Sequence, residues 1–155
     1  MENYILSDIS NDIKFTKRAT PIPLGARLSY RIAQICLILG LCCKPQESCS
    51  IQKIQTISNA LFQPQEFEKL VRYSKLNSAM EFTPRIDPCV NSAIEFAIKY
   101  GLCKQTSTHR RYKLTELGKK YFAAIYADEI MENEKAMLLE LGASFTEKMI
   151  DEICN

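Results

Sequence analysis

No tryptophan, one histidine and only five glycines in 155 residues set the first limits on this chain. A lone histidine, His109, leaves no imidazole pair for a metal site and no H-E-x-x-H helix. It also leaves no cysteine–histidine neighbourhood in the sequence to activate a nucleophile. The glycines form no G-x-G-x-x-G or Walker pattern, so no phosphate-cradling loop is predicted. The longest apolar run, around Ile35 to Cys43, falls well short of the roughly 20 residues a membrane helix needs. The opening MENYILSDISNDIKF lacks the charged-then-apolar pattern of a secretion signal, so a cytoplasmic protein is expected, with no membrane partner. No catalytic residue and no cofactor are predicted, and the expectation is that the chain is not an enzyme.

What the chain does have is cysteine, seven of them. The number is odd and CCKPQESC contains no C-x2-C pair, so neither a disulfide framework nor a zinc site is predicted. Reduced thiols are expected, with Cys36, Cys89 and Cys103 as small core residues. Charge is also unevenly placed. Residues 1–126 carry 18 basic and 10 acidic side chains, a net of +8, whereas residues 127–155 carry 2 and 8, a net of −6. A basic body with an acidic tail is the pattern either of docking to partners or of a solvated acidic helix.

Residues 1–27 lack helical periodicity, and ATPIPLGA favours an extended path, so this segment is read as an N-terminal arm. LSYRIAQICLILGLCC is apolar on most sides and predicts a buried helix. Ser50 is placed to cap a second helix with Ile51, Ile54, Ile57 and Leu61 inward. Pro64 opens a third, with Phe67, Leu70 and Val71 as its core contacts. Pro88 opens a fourth, PCVNSAIEFAIKYG, which ends at Gly101. A short hairpin, LCKQ and RYKL, follows; Thr115 then caps ELGKKYFAAIYADEI, where Leu117, Phe122 and Ile125 supply packing and Gly118 weakens the helix slightly. Ser144 and Glu147 match a capping box for a last helix. The expected fold is mainly α. It is a winged helix-turn-helix over 28–126 with one β-hairpin wing, an N-terminal extended arm over 1–27 and an acidic C-terminal helical extension over 127–155.

Two surfaces are candidates for function. Lys104, His109, Arg110, Arg111 and Lys113 gather on the hairpin, with Lys119 and Lys120 nearby, and such a group can neutralise phosphates without reading sequence. The helix before the hairpin occupies the position that enters the major groove in a regulator. Its residues are mostly apolar, with only Asn91, Ser92, Glu95 and Lys99 as a polar stripe. It is expected to be buried on both sides and to serve protein contact, with Asn91, Glu95, Phe96 and Lys99 as candidate partner-binding residues.

Three segments, SIQKIQTISNALF, RIDPCVNSAIEFAIKYGL and YKLTELGKKY, together resemble one family. It is the winged-helix middle component of ABC three-component bacterial defence systems, of which Lamassu-type anti-phage systems look like the nearest relatives. The likeness spans about residues 28–125, with Arg85, Asp87, Pro88 and Asn91 matching the R-x-D-P-x-x-N signature. From their chemistry, Asp87 and Pro88 are expected to start the helix and Arg85 to pair with Asp87 or a neighbouring carboxylate, which favours a structural role for the signature over an interface mark. The resemblance implies a non-catalytic subunit bound to an SMC-like ABC ATPase and to an effector, a nuclease or another, that it helps to release on sensing foreign DNA, with double-stranded DNA reached through the complex. The alternative expectation, from the wing alone, is a DNA-binding transcriptional regulator.

Overall fold

The computed structural model describes residues 22–44, 47–77, 85–108 and 110–154. Residues 1–21, most of the expected arm, lie outside the described residues. The all-round apolar segment forms a helix, α1 (Leu28–Leu41), with every residue from Arg31 to Leu39 buried. Such a helix must be covered on opposite sides, and two hydrophobic clusters cover it.

On one side Ile32, Ile35, Cys36 and Leu39 pack against α4 (Pro88–Lys99) and a small sheet. On the other, Ala33, Leu37 and Ile38 meet α2 (Ile51–Ala60) and α3 (Pro64–Leu76), together with the tail helices α6 (Glu132–Leu141) and α7 (Glu147–Cys154). The helix after the hairpin, α5 (Glu116–Ala127), also packs on α1, and its Phe122 touches both clusters. The acidic tail is thus part of the main core: Leu138, Leu141, Phe145 and Ile150 are buried with Ile57 and Leu70.

The sheet has three antiparallel strands in the order β1 (Ser48–Cys49), β3 (Tyr112–Leu114), β2 (Cys103–Gln105). The hairpin β2–β3 is the expected one; β1 adds an edge the periodicity did not announce. Mainly helical structure with this small sheet is the fold, and among the described residues no helix is long and apolar enough to cross a membrane.

Helix starts follow their caps. Ser50 Oγ accepts from the Lys53 amide at 3.2 Å, and Thr115 Oγ1 accepts from the Gly118 amide at 3.0 Å. Pro64 and Pro88 sit in first turns, where their missing amides cost nothing. Gly101, at φ +73°, takes the left-handed conformation that ends α4.

Several expectations are corrected. Ser144 lies in a 3-10 turn, Gly142–Ser144, and donates to the Leu141 carbonyl, while Thr146 Oγ1 accepts from the Met149 amide at 3.4 Å and serves the start of α7. Glu147 turns away to accept from the Ser50 amide at 2.8 Å, tying α7 to the start of α2. Leu117 is 54% exposed, not packed. Cys89 is exposed, whereas Cys36 and Cys103 are buried; all seven cysteines are free thiols.

Gly118 does not merely weaken its helix. A Cβ there would lie 1.9 Å from the Leu102 carbonyl oxygen, so the close approach of α5 to the β2 end needs glycine.

Candidate nucleic-acid and partner interface

The signature around Asp87 resolves into a polar knot that joins α1, α2 and α4. Asp87 Oδ1 accepts from the Cys89 amide at 2.9 Å and so caps α4; Oδ2 pairs with the Arg31 guanidinium. Gln55 of α2 reads both ends of the cap: Oε1 accepts from the Asp87 amide at 2.9 Å, and Nε2 donates to the Asp87 carbonyl at 3.2 Å and to Asn91 Oδ1 at 2.9 Å. Arg31 also donates to the Gly25 carbonyl at 2.6 Å and to Ser58 Oγ at 2.7 Å, and its guanidinium lies 4.5 Å from the centre of the Phe62 ring. The cation for Asp87 is therefore Arg31, 56 residues away, rather than the expected Arg85. Arg85 enters through its backbone carbonyl, which accepts from Asn59 Nδ2 at 2.9 Å. Asn91, a candidate partner-binding residue, has its side-chain oxygen engaged by Gln55.

The other three partner candidates, Glu95, Phe96 and Lys99, lie together on the outer face of α4. Only Val90, Ala93, Ile94 and Ala97 are buried, so one face of α4 is open in this chain and the expectation of burial on both sides is corrected. One flank of that open face is aromatic: Phe96 is 37% and Tyr100 62% exposed, with ring centres 6.2 Å apart. Lys99 Nζ rests 5.2 Å from the Phe96 ring centre, a cation–π contact that keeps its charge beside the aromatic pair. Ile98 is exposed on the same helix.

The wing cations do not act as one group. Cys103 opposes Leu114, and both are buried, so the next pair, Lys104 opposite Lys113, falls on the outer face of the sheet. Like charges directly across an antiparallel pair repel, and an anion between them would relieve that repulsion. Ser48 of β1 flanks Lys113 on its other side. Arg110 is exposed at φ +49°, in the left-handed turn region. Arg111 is half-buried and lines a cleft that reaches α7 rather than the wing tip. His109 lies outside the described residues.

Five buried thiols are divided between the two core clusters, Cys42 in one and Cys36, Cys43, Cys49 and Cys103 in the other. Burial pushes the Cys42 thiol up to about 12. A hydrogen bond with Cys103, helped by burial, holds Cys36 protonated well above the ordinary thiol value. Tyr30 donates to Glu134 Oε1 at 2.6 Å, and burial with that bond raises its phenol too. These groups are inert supports. Sequence reasoning missed Arg31 and Gln55, whose polar character in helices otherwise apolar was the available signal. No protein-family model, curated protein or solved structure matches this chain.

Proposed function

We propose that the chain is a non-catalytic, winged-helix accessory subunit that bridges an SMC-like ABC ATPase and an effector nuclease in an anti-phage defence complex. The observation that carries this reading is the outer face of α4. A base-reading helix presents Arg, Lys, Asn or Gln to the groove; here Glu95 and Lys99 run along the exposed face, with exposed Phe96 and Tyr100 on one flank and Ile98 on the other. Exposed aromatic residues beside a charged stripe are the composition of protein interfaces, where aromatic residues supply much of the binding energy. The partner surface bears charges complementary to Glu95 and Lys99 and an apolar patch beside them that meets Phe96 and Tyr100. The element order, helix–strand–helices–hairpin–helix with strand order β1-β3-β2, supports the winged-helix description, with α3 as an added helix.

Co-expression with genomic neighbours followed by native mass spectrometry tests the reading. A complex with a large coiled-coil ATPase is expected, and Glu95→Lys with Lys99→Glu is expected to weaken it about tenfold or more. A lone monomer or homodimer under those conditions would sink it.

The opposed Lys104 and Lys113 favour a second role, sequence-independent contact of the wing with DNA. Lys104→Ala with Lys113→Ala is expected to weaken binding equally on all duplexes and to reduce the salt slope by about 2. Sequence-selective binding by the isolated chain would instead favour a transcriptional regulator.

A further inference from the structure

A cleft of about 370 Å³ opens between the end of α1, the sheet and the start of α7. Among the described residues its ionisable lining is Lys44, Lys53, Arg111 and Lys148 against Glu147 and Asp151. Of the two carboxylates, Glu147 is already engaged by the Ser50 amide.

Lys53 distinguishes this cleft from a merely basic surface. Its side chain is buried, the residue only 4% exposed, and Nζ donates to the Cys42 carbonyl at 2.9 Å. An ammonium has three donors, and among the described residues no carboxylate lies within ion-pair distance of it. A buried charge without a counter-charge is costly to hold. Where that charge lines an open cleft, an incoming anion supplies the missing partner. Exposed Lys44 and Lys148 stand at the rim. The hydroxyls of Ser48 and Thr146, also in the lining, add donors of the kind that orient a tetrahedral oxyanion.

We propose that this cleft binds a phosphomonoester, with Lys53 as its fixed floor and Lys44 and Lys148 as its rim. A dianionic phosphate supplies the counter-charge that Lys53 and the two rim lysines lack, and the volume admits a phosphate with a small organic group attached. The phosphate belongs either to a free small molecule or to the 5′ end of a nucleic-acid strand. The site does not depend on the ATPase reading above.

The experiment is an amide NMR titration of the full chain with inorganic phosphate at constant ionic strength. Duplex DNA with and without a 5′-phosphate is titrated in parallel. Saturable shifts at Ser48, Thr146 and Lys148 are expected, with affinity reduced about tenfold or more in Lys53→Met. Lys44→Gln with Lys148→Gln, both at exposed positions, is expected to weaken binding several-fold and keeps the test open if Lys53→Met does not fold. Tighter binding of the 5′-phosphorylated duplex, lost in the same variants, assigns the site to DNA ends; equal binding of both duplexes alongside a phosphate response assigns it to a small molecule. Absence of any phosphate response beyond the salt control overturns the proposal, as does a response unchanged in the rim variant.

Discussion

Asp87 is held from three directions: its carboxylate caps α4 and pairs with Arg31, while Gln55 fixes its backbone. Removing one member of such a pair strands the other, so Asp87→Ala leaves the Arg31 charge buried without its counter-ion. Urea unfolding is expected to record a loss of about 3 kcal/mol or more, with a further contribution of about 1 kcal/mol from the cap. Arg31→Met combined with Asp87→Asn keeps a capping oxygen and removes both charges, so it is expected to cost less than Asp87→Ala alone. If Asp87→Ala were neutral, the ion pair would have no structural weight. Thiol chemistry separates the residues in another way. Alkylation needs the thiolate and access to it, and only Cys89 and Cys154 are exposed, while burial lifts Cys42 to about 12. Intact mass after iodoacetamide at mildly alkaline pH is expected to show two adducts on the native protein; a third would mean that the core opens.

Elements raise the question of why α5 tolerates a glycine in its first turn. Helix propensity alone predicts that Gly118→Ala stabilises by about 1 kcal/mol. The Leu102 carbonyl, which would sit 1.9 Å from the new Cβ, predicts the opposite sign, because it is backbone shared with the start of the hairpin. Loss of about 2 kcal/mol or more is expected from the forced shift of α5, read as a lower melting temperature; a rise would mean that α5 can slide freely. The same contrast separates what periodicity reveals from what it hides. Five helix starts were legible because Ser50, Pro64, Pro88 and Thr115 act locally and the apolar face of α1 is continuous. The two-residue β1 was not, since alternation needs more residues than Ser48 and Cys49 provide. The open face of α4 was misjudged because Phe96, Ile98 and Tyr100 count as apolar wherever they point. Ser144 matched a capping box in spacing, but Gly142 at φ +51° sets a 3-10 turn there and hands the cap to Thr146. Likewise Arg31 is distant in sequence from Asp87, and only the packing of α1 on α4 brings the charges together.

For the molecule as a whole, the charge split between body and tail invites the idea of a detachable acidic extension. The packing says otherwise. Phe145 is fully buried, meets Tyr73 of α3 edge-on with ring centres 6.4 Å apart, and belongs to the cluster that contains Leu37, Ile57 and Leu70. Lys135, one of two cations in the tail, is itself buried and donates from Nζ to the Asp128 carbonyl; of the tail carboxylates, Glu134 and Glu147 bond back to Tyr30 and Ser50 while the other six are exposed. An aromatic side chain in that position supports both layers, and deleting it leaves a cavity that neither α3 nor α7 can fill alone. Phe145→Ala is therefore expected to cost about 3–5 kcal/mol and to lower the single unfolding transition of the entire chain. With no tryptophan present, the near-ultraviolet signal of the seven tyrosines, Tyr73 among them, reports side-chain packing, and far-ultraviolet dichroism reports all helices. Coincident transitions in the variant and the parent place the tail inside one cooperative unit. An early, separate transition that leaves the melting of the remaining helices unchanged would instead make the tail an independent module, and the acidic surface would then be free to act away from the core.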